Sequence, residues 1–482
     1  MYEGLSTEQQ RLWIDLNRPP FSDFRESDKL VRPEEGTLLW LLEPETVTDV
    51  AINAVPATMK EPFNLVKDQA AKPLTGEDFA DWRDSAASCC LLVTAPAGSG
   101  KSVLSNFVTM HLENHAVTGR TEKIIYYFCN IRVPISERSA ETVVRALIVQ
   151  LCQDQGNLIA LLSPRFEENS ETFRKAPLGE LWGILSLMIQ KHPFSHVYCV
   201  IDGLDVYGEC MVELVQKLLS LFRSSDSGAP RLMKLLCTSR PEPGILKTWE
   251  GFLERQLRPN ENDLRTYIDN RTAGLRNFSE SMREAARSAL MKDFEDSQDS
   301  KNSGPTFLWT SVAIRKLEQM RYPTVADVKA EVENSSRDLD DLFENLIITA
   351  SERARVNAVI LAWIIYAQQP LSLDELQEAT AIDPSRDYVS YDQLDDTRPM
   401  LSWSSVRQEL GVLIDNIEGK LFVIHQSVHD FVKKAKLLDR WISPEPRLFL
   451  GDCCMQYLLL CTVRDQTSMG SLSKADVSSE PS

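Results

Sequence analysis

The stretch from Leu91 to Ser102, LLVTAPAGSGKS, assembles the residue types that hold a polyphosphate. An apolar run leads into a loop of small residues, and Lys101 and Ser102 then open a segment with helical periodicity. Gly98 and Gly100 let successive backbone N–H groups curl around a β-phosphate without Cβ obstruction. Lys101 would reach the β- and γ-phosphates, Ser102 would hold Mg²⁺, and Ala97, Ser99 and Val103 complete the contacting loop. The usual spacing is G-x-x-x-x-G-K-[ST]. Here the first position is Ala95, one methyl group away from the strict pattern.

About 100 residues downstream lies VYCVIDGLD, 197–205, an apolar strand ending in Asp202. A Mg²⁺-bound nucleotide needs a carboxylate at the carboxyl edge of a neighbouring parallel strand, so Asp202 is the expected metal-side acid alongside Ser102. Asp-Gly also ends many strands as a plain turn; its pairing with the upstream loop favours the metal role. The next apolar run ends in Thr238-Ser239-Arg240-Pro241 and sets a permanent cation at the same edge. Arg240 can register the presence of a γ-phosphate, or simply pair with a carboxylate.

These residues require a particular scaffold. Strand signals at 90–94, 124–129, 197–201 and 233–237 alternate with helical signals at 102–115, 140–153 and 178–191, which predicts a parallel sheet with helices on both faces. From about residue 260 the pattern becomes helical, interrupted by acidic and Ser-rich breaks at 295–303 and 385–397. Helices to about Thr380 and at 406–412 precede a hairpin-like pair, 413–417 and 421–424, joined by Glu418-Gly419-Lys420. Helices followed by a small hairpin suggest a winged helix. The expected fold is an α/β P-loop NTPase core followed by a helical domain and a winged-helix domain. The expected limits are an N-terminal helical lead-in at 1–85, the core at 86–255, a helical domain at 256–345, a winged helix at 346–465 and a disordered tail at 466–482.

Composition narrows the partners. With 52 basic and 70 acidic residues the formal charge is -18, which opposes a general role on nucleic acid or anionic membranes. No apolar run approaches the roughly 20 residues that span a bilayer, and the stretches 358–367 and 453–463 read as buried helices. The N-terminus lacks a basic region followed by an apolar one. Ten cysteines lie mostly within apolar runs without a CxxC pair, as expected of reduced core residues in a cytoplasmic protein.

In this order the motifs resemble the NACHT family of signal-transducing P-loop NTPases, in the version common in fungal defence and incompatibility receptors. The resemblance runs from about residue 36 to 460. Its residues are Gly36-Thr37 with Trp40-Leu41-Leu42, the loop PAGSGKS, YYFCN at 126–130 and VVRALIVQLC at 143–152. Further on come IDGLD at 201–205, CTSRPEP at 237–243, DLRTYI at 263–268, FLWTSV at 307–312, PLSLDEL at 370–376 and FVIHQSVHDFV at 422–432. The resemblance implies a switch that binds ATP or ADP with Mg²⁺, GTP remaining open, closed by the diphosphate and self-associating when opened. It also implies that His425, after the hairpin, touches the β-phosphate of ADP in the closed form. A strand-end histidine can equally be satisfied by local backbone, and Gln426 replaces an acid found in plant relatives.

Departures qualify what the resemblance implies. The family usually carries Glu after the second Asp of IDGLD, where this chain has Val206. Asp205 is then the remaining acid to orient water, with Glu209 a turn further on. Loss of a positioned base typically costs on the order of 10² to 10⁴ in rate, so hydrolysis is expected to be slow or absent. The segment 304–308, Gly-Pro-Thr-Phe-Leu, lies where relatives place an adenine contact, at a different spacing. Effector and repeat domains common in the family are not expected within this chain. A conventional AAA-type ATPase, a small-molecule kinase and a nucleotide-insensitive oligomerisation scaffold are the alternatives.

Overall fold

The computed structural model describes residues 32–42, 72–115, 122–153, 156–166, 170–223, 232–296, 306–443 and 445–475. They divide into two compact units: residues to 131, 136–274 and 293–308 form the first, and 132–135, 275–292 and those from 309 on form the second.

The first unit is built on a six-stranded parallel sheet: β1 (Lys72–Pro73), β2 (Cys89–Thr94), β3 (Glu122–Phe128), β4 (His196–Asp202), β5 (Leu232–Ser239) and β6 (Leu253–Gln256). The spatial order is β1-β6-β2-β5-β4-β3. Side chains along a strand alternate between faces, and both faces here are apolar. Cys89, Leu91, Val93, Tyr198, Val200 and Leu236 line one face, which is covered by α1 (Gly76–Asp84) and α2 (Lys101–His115) through Phe79, Trp82, Leu104 and Val108. Cys90, Leu92, Val197, Cys199, Ile201, Leu235 and Cys237 line the other. That face meets α3 (Ala140–Cys152), α4 (Gly156–Phe166), α6 (Leu178–Lys191) and α7 (Cys210–Arg223), with the short α5 (Ser170–Lys175) between α4 and α6 and α8 (Pro243–Trp249) leading into β6. Burial on both faces explains why the strands read as continuous apolar runs.

The predicted strands are present, each displaced by one or two residues at an end. β1 and β6 were not predicted, because two and four residues give too short a run to show a period. Consequently β1 and α1 lie before the expected core start at 86, and β6 spans the expected limit at 255. α9 (Glu261–Ala273) closes the unit, and its residue Asp263 is buried against the 3-10 turn Leu39–Leu41. Apart from 32–42 and 72–85, the expected lead-in lies outside the described residues.

The second unit is helical apart from one hairpin. It takes in most of α10 (Glu280–Asp296) and α11 (Phe307–Gln319), then α12 (Val325–Glu333), α13 (Leu339–Arg353), α14 (Arg355–Tyr366), α15 (Leu373–Ala381) and α16 (Trp403–Leu410). β7 (Ile414–Ile417) and β8 (Lys420–Val423) pair antiparallel, followed by α17 (Gln426–Ala435) and α18 (Pro446–Ala475). Glu418 and Gly419 both have positive φ, 52° and 82°, as a two-residue hairpin turn demands. The guanidinium of Arg315 grips both carboxylate oxygens of Asp415 at 3.0 and 2.9 Å, tying α11 to β7. α13 runs across the expected limit at 345–346.

Two expectations need correction here. The predicted tail at 466–482 is helical as far as Ala475, because an established helix extends at one hydrogen bond per added residue; residues 476–482 lie outside the described residues. The stretch 358–367 is buried as expected, but within 453–463 the residues Met455, Leu458 and Leu459 are exposed, since α18 packs through the face of Cys453 and Leu460. All ten cysteines are free. Among the described residues no helix is long and apolar enough to cross a membrane.

Candidate phosphate-loop site

The loop 95–100 leaves the sheet where β2 is flanked by β5 and β6, the crevice at which open parallel sheets bind ligands. Backbone bonds extend the sheet to its rim: Ala95 N–H donates to Ser239 O at 3.2 Å and Leu257 N–H to Thr94 O at 2.8 Å. Gly98 and Gly100 have φ of 74° and 90°, the left-handed conformation that turns backbone N–H groups inward. The N–H groups of Gly98, Ser99, Gly100, Lys101 and Ser102 donate to no acceptor among the described residues. Five such donors at the start of a 15-residue helix form a concavity suited to an anion. Residues 306–308 back this loop from the far side. Leu308 N–H donates to Gly98 O at 3.3 Å, and a Cβ on Gly98 would stand 2.4 Å from that of Leu308. Phe307, itself held edge-on by Tyr267, packs beside Gly100. Gly304 and Pro305 lie outside the described residues.

Lys101 and the acids complete the edge. The Lys101 ammonium donates to Ala95 O and Pro96 O at 2.8 and 2.9 Å, so it sits folded within its own loop. Burial draws its pKa down to about 8, against the opposing charges of Asp205 and Asp202. Asp202, 3% exposed at the end of β4, accepts hydrogen bonds from Ser102 Oγ (2.6 Å), Ser105 Oγ (2.8 Å) and Thr238 Oγ1 (2.6 Å). Burial pushes its carboxyl up, and the three hydroxyls with Lys101 counter that by stabilising the anion. Thr238 Oγ1 also accepts Gly203 N–H at 2.9 Å, which fixes the end of β4 to β5. Ser102 and Asp202 are thus brought together as the sequence predicts. The sequence reading missed Ser105, although its position one turn after Ser102 on the same helix face was a usable signal.

Past Gly203 the chain makes a 3-10 turn, Leu204–Tyr207. Asp205 accepts Arg240 N–H at 2.9 Å and pairs with the Arg240 guanidinium at 3.2 Å. Val206 packs against the apolar cluster on the α7 face of the sheet, with its Cγ2 2.9 Å from where a Cβ on Gly203 would stand. Glu209 is exposed.

His425 belongs to the second unit. It is the N-cap of α17: its Nδ1 accepts Ser427 N–H at 3.1 Å and lies 2.9 Å from Ser427 Oγ. This is the local satisfaction that the sequence left open beside the latch role.

The family described as Nephrocystin 3, N-terminal, matches residues 72–240, which span β1 to the end of β5 and both motif strands. A comparison with curated proteins finds no match. Among solved structures, the ADP form of the Aeropyrum pernix ORC2 protein is 15% identical, with 75% of this chain and 94% of that chain covered and a TM-score of 0.35. The Aeropyrum pernix ORC1 protein, in complex with DNA, is 16% identical over 76% of this chain and 92% of that one, TM-score 0.35. A Thermotoga maritima RuvB mutant is 12% identical over 74% and 90%, TM-score 0.26. The sheet, the loop geometry and the family match over 72–240 agree on one conclusion: the first unit carries a P-loop NTPase core.

Proposed function

We propose that this chain is a nucleotide-dependent switch of the NACHT type, binding ATP or ADP with Mg²⁺ at the loop 97–103. The observation that carries this reading is the 2.6 Å hydrogen bond between Ser102 and Asp202, which sets the two metal-side groups beside five inward N–H donors. The residues fit the group. The N–H groups of 98–102 and Lys101 would hold the phosphates, Ser102 and Asp202 the Mg²⁺, and bound Mg²⁺ would supply charge neutralisation between phosphates. Arg240 would register the terminal phosphate. Val206 turned into the core leaves no acid at the position suited to polarising water, which supports slow or absent hydrolysis. The hairpin and flanking helices of the second unit support the winged-helix assignment, with His425 as the candidate contact for a diphosphate in a closed form. Self-association on opening and a role in fungal defence or incompatibility rest on the resemblance.

The deciding experiment extracts nucleotide from purified protein and identifies it by mass spectrometry, with Lys101→Ala as control. Stoichiometric ADP lost in the variant supports the switch. A protein that carries none and ignores added Mg·ATP is a nucleotide-insensitive scaffold, a reading for which the Lys101 ammonium satisfied by its own loop would be the structural ground.

A further inference from the structure

Asp205 and Arg240 stand at the same edge as Lys101, and both their charges act on its ammonium. Their engagement is two-fold. One carboxylate oxygen takes the backbone N–H of Arg240 at 2.9 Å, with Ser239 Oγ 3.5 Å away, and the other faces the guanidinium at 3.2 Å. The Asp205 side chain is 6% exposed and that of Arg240 is 22% exposed. The carboxylate is therefore sealed in, and the cation is the more exposed member of the pair.

We propose that Asp205 is a competitor for Arg240 that lowers the affinity for a nucleoside triphosphate relative to a diphosphate. The inference rests on the nucleotide reading above. A terminal phosphate draws on the Arg240 guanidinium, and any share it takes leaves a carboxylate that is sealed from water with a weakened counter-ion, which is costly. A diphosphate makes no such demand and leaves the pair intact. Asp205 therefore acts through Arg240 as a positioning residue, biasing the site toward the diphosphate, and does not serve as a water-activating base.

The test is a double-mutant cycle on the full chain, reading dissociation constants for Mg·ADP and Mg·ATPγS by calorimetry. Asp205→Asn is expected to tighten ATPγS by about tenfold and to move ADP by less than about twofold. In an Arg240→Gln background the same change is expected to alter neither. A wild-type ratio in Asp205→Asn, or an equal gain without Arg240, overturns the proposal, the second outcome showing direct repulsion between carboxylate and phosphate. Asp205→Ser is carried in parallel, and whichever variant melts cooperatively is scored. If wild type binds neither nucleotide, the nucleotide reading itself fails and the proposal with it. If wild type binds both in a Lys101-dependent way with an unchanged ratio, the competitor role alone fails.

Discussion

The carboxylate of Asp263 holds the indole N–H of Trp40 at 2.9 Å and the backbone N–H of Leu38 at 3.0 Å, more than two hundred residues earlier in the chain. Leu38 sits at φ 60°, a left-handed conformation unusual for a residue with a branched side chain, and this clip holds it there. The clip turns Leu38 and Leu41 into the sheet core beside Leu91 and Val93. Asp263→Ala would strand both donors, at about 1–3 kcal/mol for each that stays buried and unpaired. A lowered denaturation midpoint in urea, with the transition slope unchanged, is the expected result. A midpoint equal to wild type would show that the clip adds nothing.

Lys101 provides a pH dependence whose sign follows from its environment. Its folded pKa, drawn down to about 8, lies below the 10.5 of a lysine in water. The unfolded chain therefore binds more protons between those values, and this group's contribution to stability rises with pH across that window. Nucleotide affinity moves the opposite way, because the phosphates need the ammonium. We expect affinity for Mg·ADP to fall by up to about tenfold per pH unit above pH 8, and Lys101→Arg to abolish that slope. Titration calorimetry from pH 7 to 9.5 checks both, and a flat wild-type profile contradicts the assignment of Lys101 to the phosphates.

Val206 occupies the position where the NACHT pattern that the sequence resembles has a glutamate, yet its side chain packs on the apolar cluster of the α7 face. A glutamate introduced here should place a carboxylate against that cluster. Val206→Glu is expected to lower the melting temperature by several degrees, as a loss on the order of 1–3 kcal/mol implies, and to leave nucleoside-triphosphate turnover within about tenfold of wild type. Phosphate release measured with Lys101→Ala as background decides it. A rise of a hundredfold or more would show that the local backbone turns the new acid toward the site.

Much of the site was legible in the residues alone, and the reason is local. The steric freedom of Gly98 and Gly100, the Lys-Ser pair after them and an Asp ending an apolar run are short-range properties, as are the strand and helix periods that place them. The fold class followed for the same reason, since strands buried on both faces read as continuous apolar runs. Short strands such as β1 and β6 have no period to show; β6 owes its existence to β2 as a neighbour, and β1 to β6. Four facts were decided only when distant segments met. Ser105 and Thr238 share Asp202 with Ser102, Asp205 is committed to Arg240, Val206 faces the core, and Asp263 clips Leu38 and Trp40. Each depends on which way a side chain points after the sheet is assembled. The order of residues thus determined by itself that a phosphate loop opens a parallel sheet, while the tertiary structure alone decided which partner each charged group keeps. Partner choice is set by burial and by the approach of separate strands, quantities that no single segment carries.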